Sequence, residues 1–244
     1  MNVRLRFEKT GNMKFIGHLD VMRYFQKVNR RAGVDIAFSA GFSPHQIMSF
    51  ASPLGLGLTS SGEYLDMEVK STGTSAEMLE RMNREMADGM RILSYRLLPE
   101  GAKNAMSIVA AADYALTVKD GYDIPFWNEG AMNEFFGLEE IWVLKKTKKS
   151  EKTVDIQPLI LSQSFSDGAL YLKLASGSEK NLKPELVLQA MSGHFSVPYN
   201  ESAYNIHREE MYALDASGEL ISLDSIGTDI TVPICRADQV SADE

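Results

Sequence analysis

Alternation of apolar and polar residues defines most of the elements in the first hundred positions. Val3, Leu5 and Phe7 alternate with charged residues over 2–9, which is the period of a half-buried strand. Apolar residues then recur at helical spacing after Asp20, and Gly33 ends that run. The predicted elements are a strand at 2–9, a helix at 20–32, strands at 35–39 and 63–70, a helix from Thr74 with Met78, Leu79, Met82, Met86 and Met90 on its buried side, and a strand at 91–98.

The second half of the chain repeats this order of elements. Its predicted elements are a strand at 112–118, a helix at 125–136, strands at 140–146, 153–160 and 169–175, a helix from Pro184, and strands at 204–214 and 219–223. The order β-α-β-β-α-β is the ferredoxin-like pattern, here with an extra strand and a terminal hairpin. We therefore predict an α+β fold of two tandem ferredoxin-like domains with antiparallel sheets, at 1–105 and 106–235, followed by an acidic tail at 236–244.

Composition narrows the class of protein. No run approaches the ~20 apolar residues that span a bilayer, and the alternating N-terminus does not resemble a signal peptide. Cys235 is the single cysteine, which excludes an internal disulfide and an all-cysteine metal cluster within this chain. We expect a cytoplasmic protein with no membrane partner and no cofactor or metal of its own.

Positive charge is concentrated at the beginning of the chain. Residues 1–50 hold eight basic and three acidic residues, a net charge of +5, whereas the whole chain carries −8, so the remaining residues carry −13. Arg23, Lys27, Arg30 and Arg31 lie on one face of the first helix, and no acidic residue falls between Val21 and Val34. This stripe is either an ordinary solvated helix face or a surface that binds phosphates.

Two histidines and two loops surround that helix in the sequence. His18 and Asp20 begin it, with Asp20 the predicted N-cap, and His45 follows Ser43 in a loop that contains Gly41 and Pro44. Each histidine is a candidate for acid–base work, although a histidine in such a position more often has an ordinary structural role. The loop at 53–57, which contains two glycines, is either a phosphate cradle or a turn that needs positive φ.

A second basic cluster lies in the other half of the chain. Its members are Lys145, Lys146, Lys148, Lys149 and Lys152, around a predicted hairpin tip. Such a run is often only a solvated turn. The alternative is that the first four, together with Ser43, His45 and the helix cations, contact nucleic acid.

Several segments resemble one known family. They are Val3 to Thr10, Phe15 to Asp20, Arg30 to Gly33, Phe38 to His45, Ser49 to Gly57, Gly62 to Asp66 and Lys152 to Ile160. Together they are similar to the radical-SAM-linked uncharacterised family, whose members accompany or are fused to a radical S-adenosylmethionine protein. The resemblance implies a radical SAM partner that holds the iron–sulfur cluster, and it supplies no catalytic residues.

Three functional hypotheses follow. The first is a non-catalytic accessory module that recognises RNA, such as tRNA or rRNA, for a radical SAM enzyme. The second is a metal-independent endoribonuclease or RNA-modifying enzyme that uses His18 and His45; it requires the two imidazoles to meet beside the basic helix. The third is an adaptor that binds only proteins.

Overall fold

The computed structural model describes residues 1–146, 151–178 and 180–235, with only the backbone described at Lys145 and Lys146. The strands and helices in this part of the chain are β1 (Asn2–Lys9), α1 (His18–Arg31), β2 (Met48–Phe50), β3 (Thr59–Glu68), α2 (Ser75–Asn83), β4 (Met90–Leu97), α3 (Ala105–Ile108), β5 (Val109–Val118), α4 (Glu129–Phe136), β6 (Trp142–Lys146), β7 (Glu151–Asp155), β8 (Ile160–Ser166), β9 (Ala169–Ala175), α5 (Pro184–His194), β10 (Tyr204–Leu214), β11 (Leu220–Ser222) and β12 (Thr228–Asp229). Among these residues, no helix has the length and apolar composition that crossing a bilayer requires.

The chain divides into two compact units. The first consists of Met1–Val109 and the chain from Met211 onward, and the second is Ala110–Glu210. Residues 211–235 therefore pack with the N-terminal part, although the sequence analysis grouped them with 106–210. Whether the predicted domains, 1–105 and 106–235, each fold as a unit stays a prediction.

The first unit is an antiparallel sheet covered by two helices. β1 pairs with β3 on one side and with β4 on the other, β2 extends the β3 edge, and β12 extends the β4 edge. As the alternation predicts, Val3, Leu5 and Phe7 of β1 are buried. The core that they form with the helices also contains Val21, Phe25 and Val28 of α1, Met78 and Met82 of α2, and Ile230 near the C-terminus.

The second unit contains neighbouring strands, in which β9 pairs antiparallel with β5 and β8, two helices and a separate hairpin. The sheet order is β10-β5-β9-β8, and α4 and α5 lie between its strands in the sequence. β6 and β7 form a two-stranded sheet apart from it. The predicted strand at 153–160 is therefore wrong as a single element: β7 ends at Asp155, a 3₁₀ turn containing Pro158 follows, and β8 begins at Ile160.

Local differences from the prediction have simple causes. α2 ends at Asn83, so Met86 and Met90 are not helical, although Met90 is buried in β4 and Met86 packs against the same core. A turn through Gly89, whose φ is +82°, separates the two elements. The predicted strand at 35–39 is present only as isolated bridges at Ile36 and Phe38. The α+β class is confirmed.

Candidate nucleic-acid interface

The first turn of α1 differs from the predicted cap. Gly17 is the N-cap and supplies no side-chain hydrogen bond, whereas Asp20 lies within the first turn. The Asp20 carboxylate instead lies 3.4 Å from Nη1 of Arg23, one helical turn away. The acidic group thus complements the positive end of the helix dipole without capping it.

Three cations form an exposed row along α1. Arg23, Lys27 and Arg30 are all exposed, at the i, i+4 and i+7 positions expected for one face. Arg23 pairs with Asp20, and both side chains are about two-thirds exposed to solvent, so the pair is weak. Lys27 and Arg30 make no ion pair with any residue that the structure describes. We call these three residues the cationic row.

Arg31 has a structural contact that its sequence position did not indicate. Its Nε donates to the carboxylate of Glu85 at 3.0 Å, and Nη2 donates to the Glu85 carbonyl at 2.9 Å. Nearby, the amide of Ala87 donates to the hydroxyl of Tyr24 at 2.6 Å. Burial raises the pKa of Tyr24, against the opposing effects of this hydrogen bond and of the Arg31 charge. These contacts hold α1 to the segment after α2, and nucleic-acid binding by Arg31 stays a prediction.

The loop at 39–45 is closed by its own hydrogen bonds. The Ser39 amide donates to the carbonyl of His45 at 2.9 Å, and the His45 amide donates to the Ser39 hydroxyl at 3.1 Å. Nδ1 of His45 also lies 2.9 Å from that hydroxyl. Ser43 and Phe42 lie at the exposed tip of the loop, and Phe42 is fully exposed.

Gln46 attaches this loop to α1. Its side-chain amide donates to the carbonyl of Gln26 at 3.2 Å, and its side-chain oxygen accepts from the buried Asn29 at 3.0 Å. Gln26 lies three residues after Arg23 and four before Arg30, which makes it their neighbour on the helix surface. The loop therefore begins and ends beside the cationic row.

The structure does not bring the two histidines together. The ring of His18 packs edge-on against Phe50, with 5.2 Å between centroids, while His45 bonds to Ser39. Gln46 joins α1 eight to eleven residues beyond His18, a distance of about 12–16 Å along the helix axis. No contact joins the two rings among the described residues. The geometry required for paired acid–base catalysis is missing there.

The loop at 53–57 uses its backbone internally. Gly57 has a φ of +85°, and its amide donates to the carbonyl of Lys14 at 2.8 Å. That amide is therefore not directed at a phosphate. The residues that flank this contact, Leu56 and Phe15, are both exposed, and the Phe15 ring lies 5.2 Å from Nζ of Lys14.

The exposed apolar side chains of this region were not predicted from the sequence. Phe15, Leu19, Phe38, Phe42 and Leu56 are all more than half exposed. The exposure of Phe42 could have been predicted, because this aromatic residue lies between Gly41 and Ser43-Pro44 and is not part of the hydrophobic repeat of any strand or helix. Leu19 gave no such signal, since an apolar residue in an amphipathic helix is normally assigned to the core.

The lysine cluster is only partly described. The backbone of Lys145 and Lys146 belongs to β6, opposite Lys152 and Glu151 of β7. Lys148 and Lys149 lie outside the described residues. Nucleic-acid binding by these four lysines stays a prediction.

Among the described residues, no group of three or more His, Cys, Asp or Glu side chains is arranged to hold a metal ion.

Comparison with known proteins identifies a family. Residues 2–184 match the family described as "Uncharacterized protein conserved in bacteria (DUF2344)". The chain belongs to this family. The match contains all of α1, the loop at 39–45 and the loop at 53–57, and it stops at the first residue of α5. A search of curated proteins gives no match. The family description names no activity, so the site must be interpreted from its own chemistry.

Proposed function

We propose that this chain is a non-catalytic RNA-recognition subunit that works with a radical SAM enzyme in the cytoplasm. The observation that carries the proposal is the cationic row on α1, which lies beside a loop that presents aromatic side chains to solvent. Lysine and arginine neutralise phosphates, and exposed aromatic rings stack on bases.

The charge distribution favours a localised interface. The chain as a whole is acidic, so it repels polyanions outside its basic region. Lys27 and Arg30 are exposed without an ion pair among the described residues, so binding a phosphate there breaks no existing salt bridge. Structured RNA, including tRNA and rRNA, is the proposed partner class.

Two further parts of the proposal rest on other observations. The two units share one strand order, β4-β1-β3-β2 in the first and β10-β5-β9-β8 in the second, which supports a tandem ferredoxin-like architecture with β6–β7 as an insertion. The radical SAM partner is proposed from the sequence resemblance. Iron–sulfur clusters are held by several cysteine thiolates, and this chain has one cysteine, so the partner would hold the cluster.

RNA binding is tested by salt titration of the purified chain with a transcribed tRNA. We expect the affinity for RNA to fall steeply between 50 and 200 mM salt, because each phosphate contact releases counterions. Replacing Arg23, Lys27 and Arg30 together with Gln should weaken binding. It should also reduce the slope of log K against log salt concentration, here called the salt slope, by up to about three.

The matched control replaces Lys70, Arg84 and Arg91 with Gln. These cations are also exposed on the first unit, and the change in net charge is the same. Equal losses in both triple variants would show that only the overall charge matters, and an absence of RNA binding in the unmodified chain would refute the proposal.

The enzyme partner is tested separately, by purifying the tagged chain from its native cells. We expect it to co-elute with a protein that contains iron and binds S-adenosylmethionine, together with RNA that can be sequenced. Recovery of the chain without any such protein, under conditions that retain bound RNA, would reject the radical SAM association.

A further inference from the structure

The loop tip at Phe42 differs from the other exposed apolar positions of the first unit. Its ring is fully exposed, and its neighbours Gly41, Ser43 and Pro44 are exposed as well. An exposure this complete means that no neighbouring side chain packs over the ring. A protein-binding hot spot normally lies at the centre of a packed apolar patch, whereas a ring that no other side chain packs against suits a flat partner.

Hydrogen bonds close the base of the loop that carries this ring. Ser39 and His45 are joined by three contacts of 2.9 to 3.1 Å, and Phe38 and Gln46 form an antiparallel bridge below them. A closed loop loses less conformational entropy on binding than an open one. The backbone on both sides of Phe42 is therefore ordered before a ligand binds.

The ring also lies within reach of the cationic row. Gln46 is bonded to Gln26 between Arg23 and Arg30, and Phe42 is four residues before Gln46. Four residues span at most about 14 Å between the Cα atoms of Phe42 and Gln46, which keeps the ring near enough to the cationic row for one RNA strand to contact both. A nucleic acid held at Arg30 can place a base on Phe42.

We propose that Phe42 stacks on an unpaired base, so that the RNA recognised at this surface is single-stranded where it meets the loop. This inference rests on the proposed RNA-binding function and specifies its substrate. Bases within a duplex are already stacked on each other, and the deep major groove of A-form RNA admits no side chain. An unpaired base, unlike a base inside a duplex, offers a free face to the ring.

The test compares one labelled RNA of twelve nucleotides with the same strand annealed to its complement, using fluorescence anisotropy. The unmodified chain should bind the single strand more tightly. Phe42→Ala should weaken binding of the single strand by about 5- to 150-fold and change duplex binding little. Phe42→Trp should retain the preference, because it keeps an aromatic face.

Two controls separate stacking from charge and from misfolding. Leu56→Ala removes another exposed apolar side chain, in a different loop, and should leave both affinities unchanged. Phe42→Ala should also leave the salt slope unchanged, since it removes no phosphate contact, whereas Arg30→Gln should reduce the slope. The melting temperature of Phe42→Ala should equal that of the unmodified chain, because the ring has no buried contacts.

The outcomes distinguish the two proposals. If neither RNA binds, RNA recognition itself is refuted. If both RNAs bind equally and Phe42→Ala has no effect, RNA recognition survives and the stacking inference is overturned. If Phe42→Ala leaves RNA binding unchanged but abolishes co-elution with a protein partner, the loop is a protein-docking element and the inference is again overturned.

Discussion

Arg4 and Asp66 form a buried ion pair between two strands of the first unit. Nε and Nη2 of Arg4 donate to the two carboxylate oxygens of Asp66 at 2.7 and 2.8 Å, and one of those oxygens also accepts from the amide of Ala105 at 2.7 Å. The two side chains are 1% and 8% exposed. A pair so completely withdrawn from water requires both partners, because either charge alone is expensive to bury.

Replacing Asp66 with Asn should therefore lower the free energy of unfolding by about 3–5 kcal/mol, because the guanidinium stays buried without its counter-charge. Urea denaturation measures the change. Glu80→Gln provides the control: Glu80 lies at the same 2.7 Å from Arg84, but both side chains are mostly exposed, so stability should change little. Similar effects of the two substitutions would contradict this account.

Asp224 lies among cationic and hydroxyl donors. Arg96 donates to both of its carboxylate oxygens at 3.2 Å, and the hydroxyl of Ser94 donates to one of them. Burial by itself raises the pKa of Asp224. The hydrogen bonds from Arg96 and Ser94 and the charges of Arg96 and Arg6 together outweigh burial, so the pKa lies below its usual value of 3.8.

This lowered pKa makes the contribution of Asp224 to stability depend on pH. Above pH 3.8 the carboxylate is ionised in both folded and unfolded chains, and the stabilisation is complete. As the pH falls from 3.8 towards the lower folded pKa, the unfolded chain takes up the proton first and the stabilisation is lost. The difference in urea midpoint between the unmodified chain and Asp224→Asn should be constant from pH 5 to 7 and shrink below pH 4. A difference that is the same at pH 3 and pH 7 would be incompatible with this reasoning.

At the scale of elements, the turn between α2 and β4 depends on Gly89. Its φ is +82°, and its carbonyl accepts from the amide of Thr10 at 2.8 Å. A Cβ at this position would lie 2.6 Å from the backbone oxygen of Thr10. The turn therefore requires glycine for two reasons, its left-handed conformation and the close approach of a neighbouring chain segment.

Gly218 separates these two reasons experimentally. Its φ of +86° is nearly the same, but no atom lies within 4 Å of the position that a Cβ would occupy. Gly218→Ala should cost about 1–2 kcal/mol of unfolding free energy for the backbone conformation alone. Gly89→Ala should cost more, because it adds a clash with a backbone atom that cannot rotate away. Equal losses in thermal or urea denaturation would show that the Thr10 contact relaxes freely.

At the scale of the whole molecule, the C-terminal segment completes the first unit. Ile230 is buried in its core, and its amide donates to the hydroxyl of Ser75 at 2.8 Å. Farther along, Ile234 exchanges two backbone hydrogen bonds with Thr72 at 2.8 and 2.9 Å. Residues more than 150 positions apart in the sequence therefore share one core.

The stability of the first unit should accordingly depend on Ile230. Ile230→Ala should lower the unfolding free energy by about 2–5 kcal/mol, because it leaves a cavity in a packed core. Val232→Ala changes a residue that is 70% exposed only two positions away, and it should have little effect. If Ile230→Ala is as mild as Val232→Ala, the segment is not part of the core.

Local periodicity predicted the elements that have one polar and one buried face. β1, α1, β9 and α5 each lie within a few residues of their predicted ranges, because their burial repeats at the period of the element itself. The interruption of the strand at Pro158 could not be predicted from periodicity. Residues 153–160 are compatible with one strand until the carboxylate of Asp155, which accepts from the amides of Ile141 and Gln157, fixes a turn there.

The candidate interface shows the same division. The sequence alone determined that four cations share one face of α1, since helical spacing fixes which side chains are neighbours. Only the tertiary structure decided that Arg31 is held by Glu85, that His18 and His45 are apart, and that the loop carrying the exposed Phe42 is attached to α1 through Gln46. Each of those facts depends on contacts between residues distant in the sequence, and a local pattern carries no information about which distant segment will pack against it.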